Sequence, residues 1–465
     1  MVRRLLIANR GEIAVRIIRT CRRLGIETVL AVSAADRDCL PARMADHTVL
    51  IGPADPAASY LDVDAVLGAA RTTGADAIHP GYGFLAENPR LAAACAAAGI
   101  VFVGPTEAQL AAAGDKLAAR EHAVAAGLPV LPGGEVRDLR SARRLAGEIG
   151  WPVLVKAAGG GGGRGMKKIG EPAELADAIE LARAEAGAAF ADRRVYLERF
   201  LSAGRHIEVQ IAGDGERVIH FGERDCSIQR RYQKLVEEAP APGLGASTRA
   251  ALHAAAVALG ERLRYRGLGT VEFLVAGADF YFLELNARIQ VEHPVTEAVY
   301  GVDLVAEQLA IAEGRPPRPA PDTTGPDATG PAGHAIECRI NAEDWTRGFR
   351  PSPGMVTAAV FPAGDGIRVD THVQAGTRIP PHYDSLLAKL IVHAADRTAA
   401  LALLRGALAR CEIHGVTTNL PMFAELTRRP EFAAGCVDTA WFPAFLERRD
   451  SERIRERAGE GAGRG

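Results

Sequence analysis

The sequence predicts an α/β protein, α+β when taken as a whole, in three parts: an N-terminal doubly wound parallel sheet, a small glycine-rich domain and a C-terminal mixed α/β domain. Three observations carry that prediction. Apolar strands alternate with amphipathic helices over the first hundred residues; five consecutive glycines separate two strand-like runs in "VKAAGGGGGRGMKK" (155–168); and two alternating runs flank Gly277-Ala278-Asp279. At 465 residues the chain exceeds what one hydrophobic core usually serves, which suits about three domains.

The elements follow in order. "RLLIA" (4–8) is a short apolar strand, "NRG" turns the chain, and "EIAVRIIRTCRRLG" is a helix with Ile13, Ile17, Ile18 and Cys21 on one face, stopping at Gly25. "ETVLAVS", "DAIHPG" and "IVFVGP" repeat the strand pattern and complete a domain over 1–113. "GYGFLA" (81–86) fits G-x-G-x-x-A, but no acidic partner follows about 20 residues on, so dinucleotide binding is rejected. Linker helices and the glycine-rich segment make up 114–203. Hairpins and then helices fill 204–446, with a Pro/Gly-rich surface insert at 315–333, and 447–465 reads as a charged, fraying tail.

Lys and Arg number 55 against 57 Asp and Glu, a net charge of −2, which argues against nucleic acid or a membrane surface as partner. The basic start "MVRRLLIANRGE" holds only a four-residue apolar run, and no longer run elsewhere would span a bilayer; the expected location is cytoplasmic. Seven cysteines at wide spacings give neither a disulfide framework nor a zinc signature, so they read as reduced thiols.

"PVLVK" ends as a strand at Lys156 and "RGMKKI" begins another, so the glycines form a strand-loop-strand element. That excludes a Walker loop, which opens a helix, and the chain lacks the H-R-D and D-F-G strings of kinases. Backbone N–H groups of a loop without Cβ atoms can converge on phosphate oxygens. Flanked by Lys156 and Arg164, the run reads as a phosphate lid rather than a linker.

A three-residue turn centred on Ala278 would pair 276 with 280 and set Glu272 opposite Glu284. Opposed carboxylates repel unless a hard cation lies between them, and with Asn286 they form an oxygen-rich site suited to magnesium. Strict alternation then puts Glu284, Asn286, Arg288, Gln290 and Glu292 on one face; the plain alternative is a half-buried strand with a solvated face. "RHIEVQ" likewise groups His206, Glu208 and Gln210. "ERDCSIQRRYQKLVEEAPAP" (223–242) reads as a polar loop carrying Lys234, with Cys226 as a bystander.

Together "IANRGEIAVRIIR", "HPGYGFLAEN", "GDK", "VKAAGGGGGRGMK", "RHIEVQ", "ERDCSIQRR", "VEEAPAP", "ELNARIQVEHPVTE", "ECRINAED" and "HYDSLLAKL" resemble the biotin carboxylase family, the ATP-grasp component of biotin-dependent carboxylases, in order from Ile7 to Lys389. The resemblance implies an ATP-grasp fold with a Rossmann-like N-terminal domain. It implies an ATP-dependent ligase in which ATP phosphorylates bicarbonate to carboxyphosphate and carbon dioxide passes to biotin, the first half-reaction of enzymes such as acetyl-CoA carboxylase. By that similarity Lys116, Lys156 and the lid glycines Gly161, Gly162 and Gly163 hold ATP phosphates, Glu198 to Leu201 line the adenine pocket, and His206 and Gln229 contact the nucleotide. Glu272 and Glu284, supported by Asn286, take magnesium, or manganese in its place. Arg288, Gln290 and the Val291 backbone bind bicarbonate, Lys234 assists, and Glu292 is the base. Arg339 stabilises the biotin enolate, with Tyr82 near the biotin ring.

Two departures stand out. Tyr232 in "RRYQK" replaces the His of many relatives at a nucleotide contact. The family is often a homodimer and Arg19 matches a dimer position, whereas Arg23 and "AAVFPAG" (358–364) differ from the residues expected there. No biotin-accepting "AMKM" string appears, so a separate biotin carboxyl carrier protein and a carboxyltransferase are the expected partners. Two other readings stand beside this one: an ATP-grasp carboxylate–amine ligase, and a nucleotide-binding scaffold without turnover.

Overall fold

The structure is a computed structural model that describes residues 1–159, 166–190, 192–318, 330–449 and 451. Gly161, Gly162, Gly163 and Arg164, most of the 315–333 insert and most of the 447–465 tail lie outside the described residues.

The N-terminal strands form a five-stranded parallel sheet in the order His47–Gly52, Glu27–Ser33, Arg4–Ile7, Ala77–His79, Val101–Phe102. The first strand lies in the middle, so the winding reverses beside it and a crevice opens at the C-terminal ends of Arg4–Ile7 and Ala77–His79, where such sheets bind ligands. Helix Gly11–Leu24 starts at that crevice, buries Ile13, Ile17, Ile18 and Cys21 as their spacing predicts, and ends at Gly25 with φ 71°. The loop after His79 closes the other side. At Gly81 (φ 63°) a Cβ would come within 2.8 Å of Asn9 Nδ2, the amide that donates to the carbonyls of Pro80 and Tyr82 at 2.7 Å each. No α-helix begins until Pro89–Ala97, in keeping with the rejection of a dinucleotide fingerprint.

A four-stranded antiparallel sheet follows in the order Gly133–Val136, Val195–Arg199, Val153–Ala157, Lys167–Ile169. The strands before and after the glycine run do pair. Gly133–Val136 falls in a stretch that reads as helical; its identity as a strand depends on pairing with residues some sixty positions away, and at Gly133 a Cβ would meet the Leu197 carbonyl oxygen at 2.3 Å.

The third sheet has eight antiparallel strands in the order Asp279–Asn286, Arg266–Ala276, Arg205–Asp214, Val218–Arg230, Gln233–Ala239, His334–Asn341, Leu386–Ala394, Ile367–Thr371. Here the structure corrects the sequence reading three times. Residues 223–242 are mostly strand, not a polar loop: Val218–Arg230 and Gln233–Ala239 pair around Arg231 and Tyr232, both left-handed (φ 47° and 67°). Left-handed conformation costs a non-glycine residue roughly 1–2 kcal/mol, but two such residues give the turn whose twist matches the flanking strands. The segment misleads because its polar side chains, Glu223, Arg224, Asp225, Ser227, Gln229, Glu237 and Glu238, are buried and most take their partners from other elements, Glu223 from Arg249, Arg224 from Glu208, Asp225 from Arg205 and Glu238 from Arg397. Second, Ala276 pairs with Asp279 in a two-residue turn; a bulge between Glu272 and Phe273 restores the expected pairing of Glu272 with Glu284. Third, the strand ends at Asn286, and Glu292 (φ −82°, ψ 8°) is the N-cap of helix His293–Tyr300 rather than part of a continuing strand.

Among the described residues no helix is long and apolar enough to cross a membrane. All seven cysteines are free; only Cys39 and Cys436 have any notable exposure.

Candidate active site

Six strands of the large sheet and the turn after Asn286 deliver their polar side chains to one largely buried region. Strand Arg205–Asp214 brings His206, Glu208 and Gln210, with Glu208 directly opposite Glu272 on the neighbouring strand. At the centre the Lys234 ammonium donates to Glu272 Oε1 at 2.7 Å, to Glu292 Oε1 at 2.8 Å and to Glu208 Oε2. Burial would strip Lys234 of its proton, but the three carboxylates hold its pKa well above the ordinary lysine value.

Glu292 is fully buried, which by itself pushes a carboxyl up. Lys234 on one oxygen and Arg339 Nη2 at 2.9 Å on the other, with Arg224 nearby, win and hold it well below the ordinary range. Arg339 is itself anchored from behind by Glu237, whose Oε1 accepts from Nε at 2.6 Å. Glu237 faces Glu337 across paired strands, and burial pushes it up to about 7 against the pull of Arg339.

Three residues that hold this cluster were not singled out from the sequence. Arg224, with no exposed surface, donates to Glu208 Oε1 (2.6 Å), Gln210 Oε1 (2.9 Å) and Thr296 Oγ1 (2.9 Å). Glu87, on the crevice loop, accepts from the Ala287 amide (2.9 Å) and Arg288 Nε (3.0 Å), tying the N-terminal domain to the site. Glu237 orients Arg339. All three sit inside quoted motifs, and period-two alternation through "GERDCSIQ" is the signal that marks Arg224.

Although the strand stops at Asn286, the expected face is preserved. Arg288 donates to Gln290 Oε1 (2.7 Å) and Asn286 Oδ1 (3.0 Å), and Gln290 Nε2 donates to Glu272 Oε1 (3.1 Å). Val291 contributes its backbone, the carbonyl accepting from Lys389 at 2.9 Å. Tyr82 lies across the crevice and donates its hydroxyl to Glu12.

On the four-stranded sheet, Lys156 Nζ is 2.5 Å from Glu198 Oε2, and Arg120 is 3.4 Å from the other Glu198 oxygen. The Glu198 carboxylate therefore acts as counter-ion to the strand-end lysine, and Leu201 follows two residues after that strand ends. Lys116 Nζ lies 3.7 Å from Glu284 Oε2. His206 Nε2 is 2.8 Å from Glu272 Oε2 in an ionic contact off the hydrogen-bonding direction, and Gln229 Nε2 is 2.8 Å from His206 Nδ1. Burial opposes a charge on His206, but Glu272 prevails and raises its pKa. Tyr232 is half exposed on the adjoining turn.

The donor set fits magnesium. The carboxylates of Glu272 and Glu284 both accept from the Asn286 amide (2.9 and 3.5 Å), which brings two hard anionic oxygens to one place, and phosphate and water would supply the remaining ligands. Two further groups, His206–Glu208–Glu272 and Glu208–Cys226–Glu292, are compact enough for a metal. The Lys234 ammonium already balances their charge, so they read as an ion-pair network. Cys226 is buried beside Glu208 and Glu292; burial and those carboxylates push its thiol well up, in keeping with a bystander.

Two lysines paired with buried or half-buried glutamates, two opposed carboxylates and a cation-ringed buried glutamate, set on and beside the four- and eight-stranded sheets, are the arrangement of an ATP-grasp ligase. Family models match residues 1–110 (biotin carboxylase, N-terminal domain), 115–318 (carbamoyl-phosphate synthase L chain, ATP binding domain) and 337–444 (biotin carboxylase C-terminal domain). The chain belongs to the biotin carboxylase family. It is 48% identical to a biotin carboxylase of Pseudomonas aeruginosa over 442 residues, 94% of this chain and 97% of that one. It is 47% identical to a biotin carboxylase of Allochromatium vinosum over 450 residues, 96% and 99% of the two chains. Among solved structures, a Campylobacter jejuni biotin carboxylase described as a β-γ-ATP complex superposes with a TM-score of 0.91 at 42% identity, covering 96% of this chain and 99% of that one. The biotin carboxylase domain dimer of Hydrogenobacter thermophilus 2-oxoglutarate carboxylase, in complex with MgADP, ADP and bicarbonate, also gives 0.91, at 43% identity and 96% and 98% coverage.

Proposed function

We propose that this chain carboxylates biotin in two steps, and that the residues above divide the work. The observation that carries the reading is Glu292, a single buried carboxylate gripped by Lys234 and Arg339 beside the Arg288–Gln290 face and the Glu272–Glu284 pair. Bicarbonate binding to Arg288, Gln290 and the Val291 backbone competes for Lys234 and Arg339. That competition lifts the basicity of Glu292 where a proton must be taken. The deprotonated bicarbonate oxygen attacks the γ-phosphorus, ADP leaves, and carboxyphosphate then loses phosphate with cleavage of its carbon–oxygen bond. The released phosphate takes the ureido N–H proton of biotin, and the freed carbon dioxide joins that nitrogen. Arg339 meets the enolate charge, and Tyr82 faces the ring.

Lys116, Lys156 and the glycines Gly161, Gly162 and Gly163 hold the phosphates as a lid, with Glu198 to Leu201, His206 and Gln229 around the nucleotide. Glu272 and Glu284, with Asn286 in support, would hold magnesium, which would supply positive charge to the phosphoryl group. Glu284→Gln should therefore raise the magnesium concentration for half-maximal ADP release by at least the roughly 10-fold that follows loss of even an outer partner. A magnesium titration at fixed ATP reads this, and an unchanged midpoint would move the metal elsewhere.

We place the domain boundaries at 113, 203 and 446. The biotin is carried on a separate biotin carboxyl carrier protein, with a separate carboxyltransferase, and the partner in assembly is a second copy of this chain through the surface around Arg19. The unpaired thiols support a reducing, cytoplasmic setting. Arg339→Ala separates the half-reactions and tests the assignment: biotin-dependent carboxybiotin formation should fall on the order of 100-fold, as when a charge-stabilising donor is removed, while ATP affinity stays unchanged. Equal losses of both would misplace Arg339.

A further inference from the structure

One buried cation in "HYDSLLAKL" touches both halves of the site. Lys389, on strand Leu386–Ala394, has no exposed side-chain surface, and it lies directly opposite Arg339 on the paired strand, so both side chains leave the same face. Its Nζ donates to the Val291 carbonyl at 2.9 Å and lies 3.1 Å from Glu12 Oε1, with Asp370 Oδ2 at 4.0 Å. The Glu12 oxygen it faces is the one that accepts from the Tyr82 hydroxyl.

A lysine taken wholly out of water is costly unless paired, and Glu12 alone would supply the partner. The donation to Val291 is not needed for that. Its effect is geometric, since the Val291 carbonyl shares a peptide plane with the Glu292 amide, and pinning one end of that plane sets where the Glu292 side chain starts. Glu12, on the first turn of helix Gly11–Leu24, comes from the N-terminal domain, so the same ammonium also fixes the carboxylate on which Tyr82 rests.

We propose that Lys389 is a positioning residue that couples the biotin face, through Glu12 and Tyr82, to the bicarbonate turn, through the Val291 carbonyl and Glu292. The inference rests on the reading that places biotin at Tyr82 and bicarbonate at Val291. A lysine that only held two domains together would lower stability and leave substrate dependences alone. A positioning lysine moves two of them and spares the third.

The test uses the full chain with MgATP and free biotin. Three quantities are read: the biotin concentration for half-maximal rate, the maximal rate of bicarbonate-dependent ADP release without biotin, and the ATP concentration for half-maximal rate. Losing a hydrogen bond from a charged group is worth about 10-fold or more. Lys389→Met should raise the biotin value and lower the bicarbonate-dependent rate, each about 10-fold, with ATP unchanged. Glu12→Gln, which keeps the Lys389–Val291 bond, should raise the biotin value without the loss in bicarbonate-dependent rate, and Tyr82→Phe should raise the biotin value. If Lys389→Met does not fold, the neutral pair Lys389→Met with Glu12→Gln takes its place with the same expected losses, because removing both charges leaves neither buried unpaired. Lys389→Met that lowers only thermal stability overturns the proposal, and so does Glu12→Gln that reproduces both losses. Tyr82→Phe with an unchanged biotin value also overturns it, and shows that the fault lies in the placement of biotin.

Discussion

Glu292→Gln should lower bicarbonate-dependent ADP release by on the order of 10³-fold, within the range expected for loss of a positioned general base, while ATP binding measured by calorimetry is unchanged. The amide has the shape of the carboxylate and its oxygen can still accept from Lys234; only the bond from Arg339 is lost, and Arg339 stays held by Glu237. Glu292 bonds neither to the lysines on the phosphate side nor to Glu284, which is why nucleotide affinity is spared. Turnover within tenfold of the unaltered enzyme would remove Glu292 from the chemistry.

Lys234→Met should be the most damaging single change to both stability and turnover. It leaves Glu208, Glu272 and Glu292 facing one another around an apolar side chain, and breaking a buried charge cluster from one side costs about 3–5 kcal/mol. The sign of the pH dependence distinguishes this mechanism from simple loss of packing. In the unaltered chain Glu272 and Glu292 are held low by Lys234, and their stabilising contribution is complete above the unfolded carboxylate pKa of about 4.3. Without the cation, at least one of the three carboxyls rises above that value. A raised carboxyl contributes stability below its folded pKa and loses it as pH rises through that value. The variant's melting-temperature deficit against the unaltered chain, in which Glu237 is itself raised to about 7, should therefore be smaller at pH 5.5 than at pH 8, by differential scanning fluorimetry. A deficit that is flat or grows on acidification would mean that charge is not what the lysine supplies.

How much of this was legible in the sequence depends on where the information lies. Helix Gly11–Leu24 was readable because a helix buries a face of its own at a local period. The strand-loop-strand at the glycine run and the opposition of Glu272 and Glu284 were readable because strands that adjoin in sequence pair through short connections. The error in the hairpin turn was cancelled by the bulge, so the register was right for the wrong local reason. The stretch 223–242 failed for a physical cause: polarity is the usual mark of exposure, and these polar side chains are buried together, Arg224 on Glu208 and Arg339 on Glu237. Which carboxylate meets which cation is a tertiary fact. Glu87 reaching Arg288 across some two hundred residues leaves no local pattern. The individual roles came from resemblance to a family; the sheet explains why those residue types converge.

Oxygen-18 transfer tests the central claim most directly. With bicarbonate fully labelled, MgATP and free biotin, attack of a bicarbonate oxygen on the γ-phosphorus followed by carbon–oxygen cleavage must leave one labelled oxygen in each phosphate released and two in the carboxyl group of carboxybiotin. Mass spectrometry of phosphate and carboxybiotin from a short incubation is expected to show that partition. Unlabelled phosphate formed together with labelled carboxybiotin would mean that water, not bicarbonate, takes the phosphoryl group, and the account of Glu292 and its surrounding cations would fail.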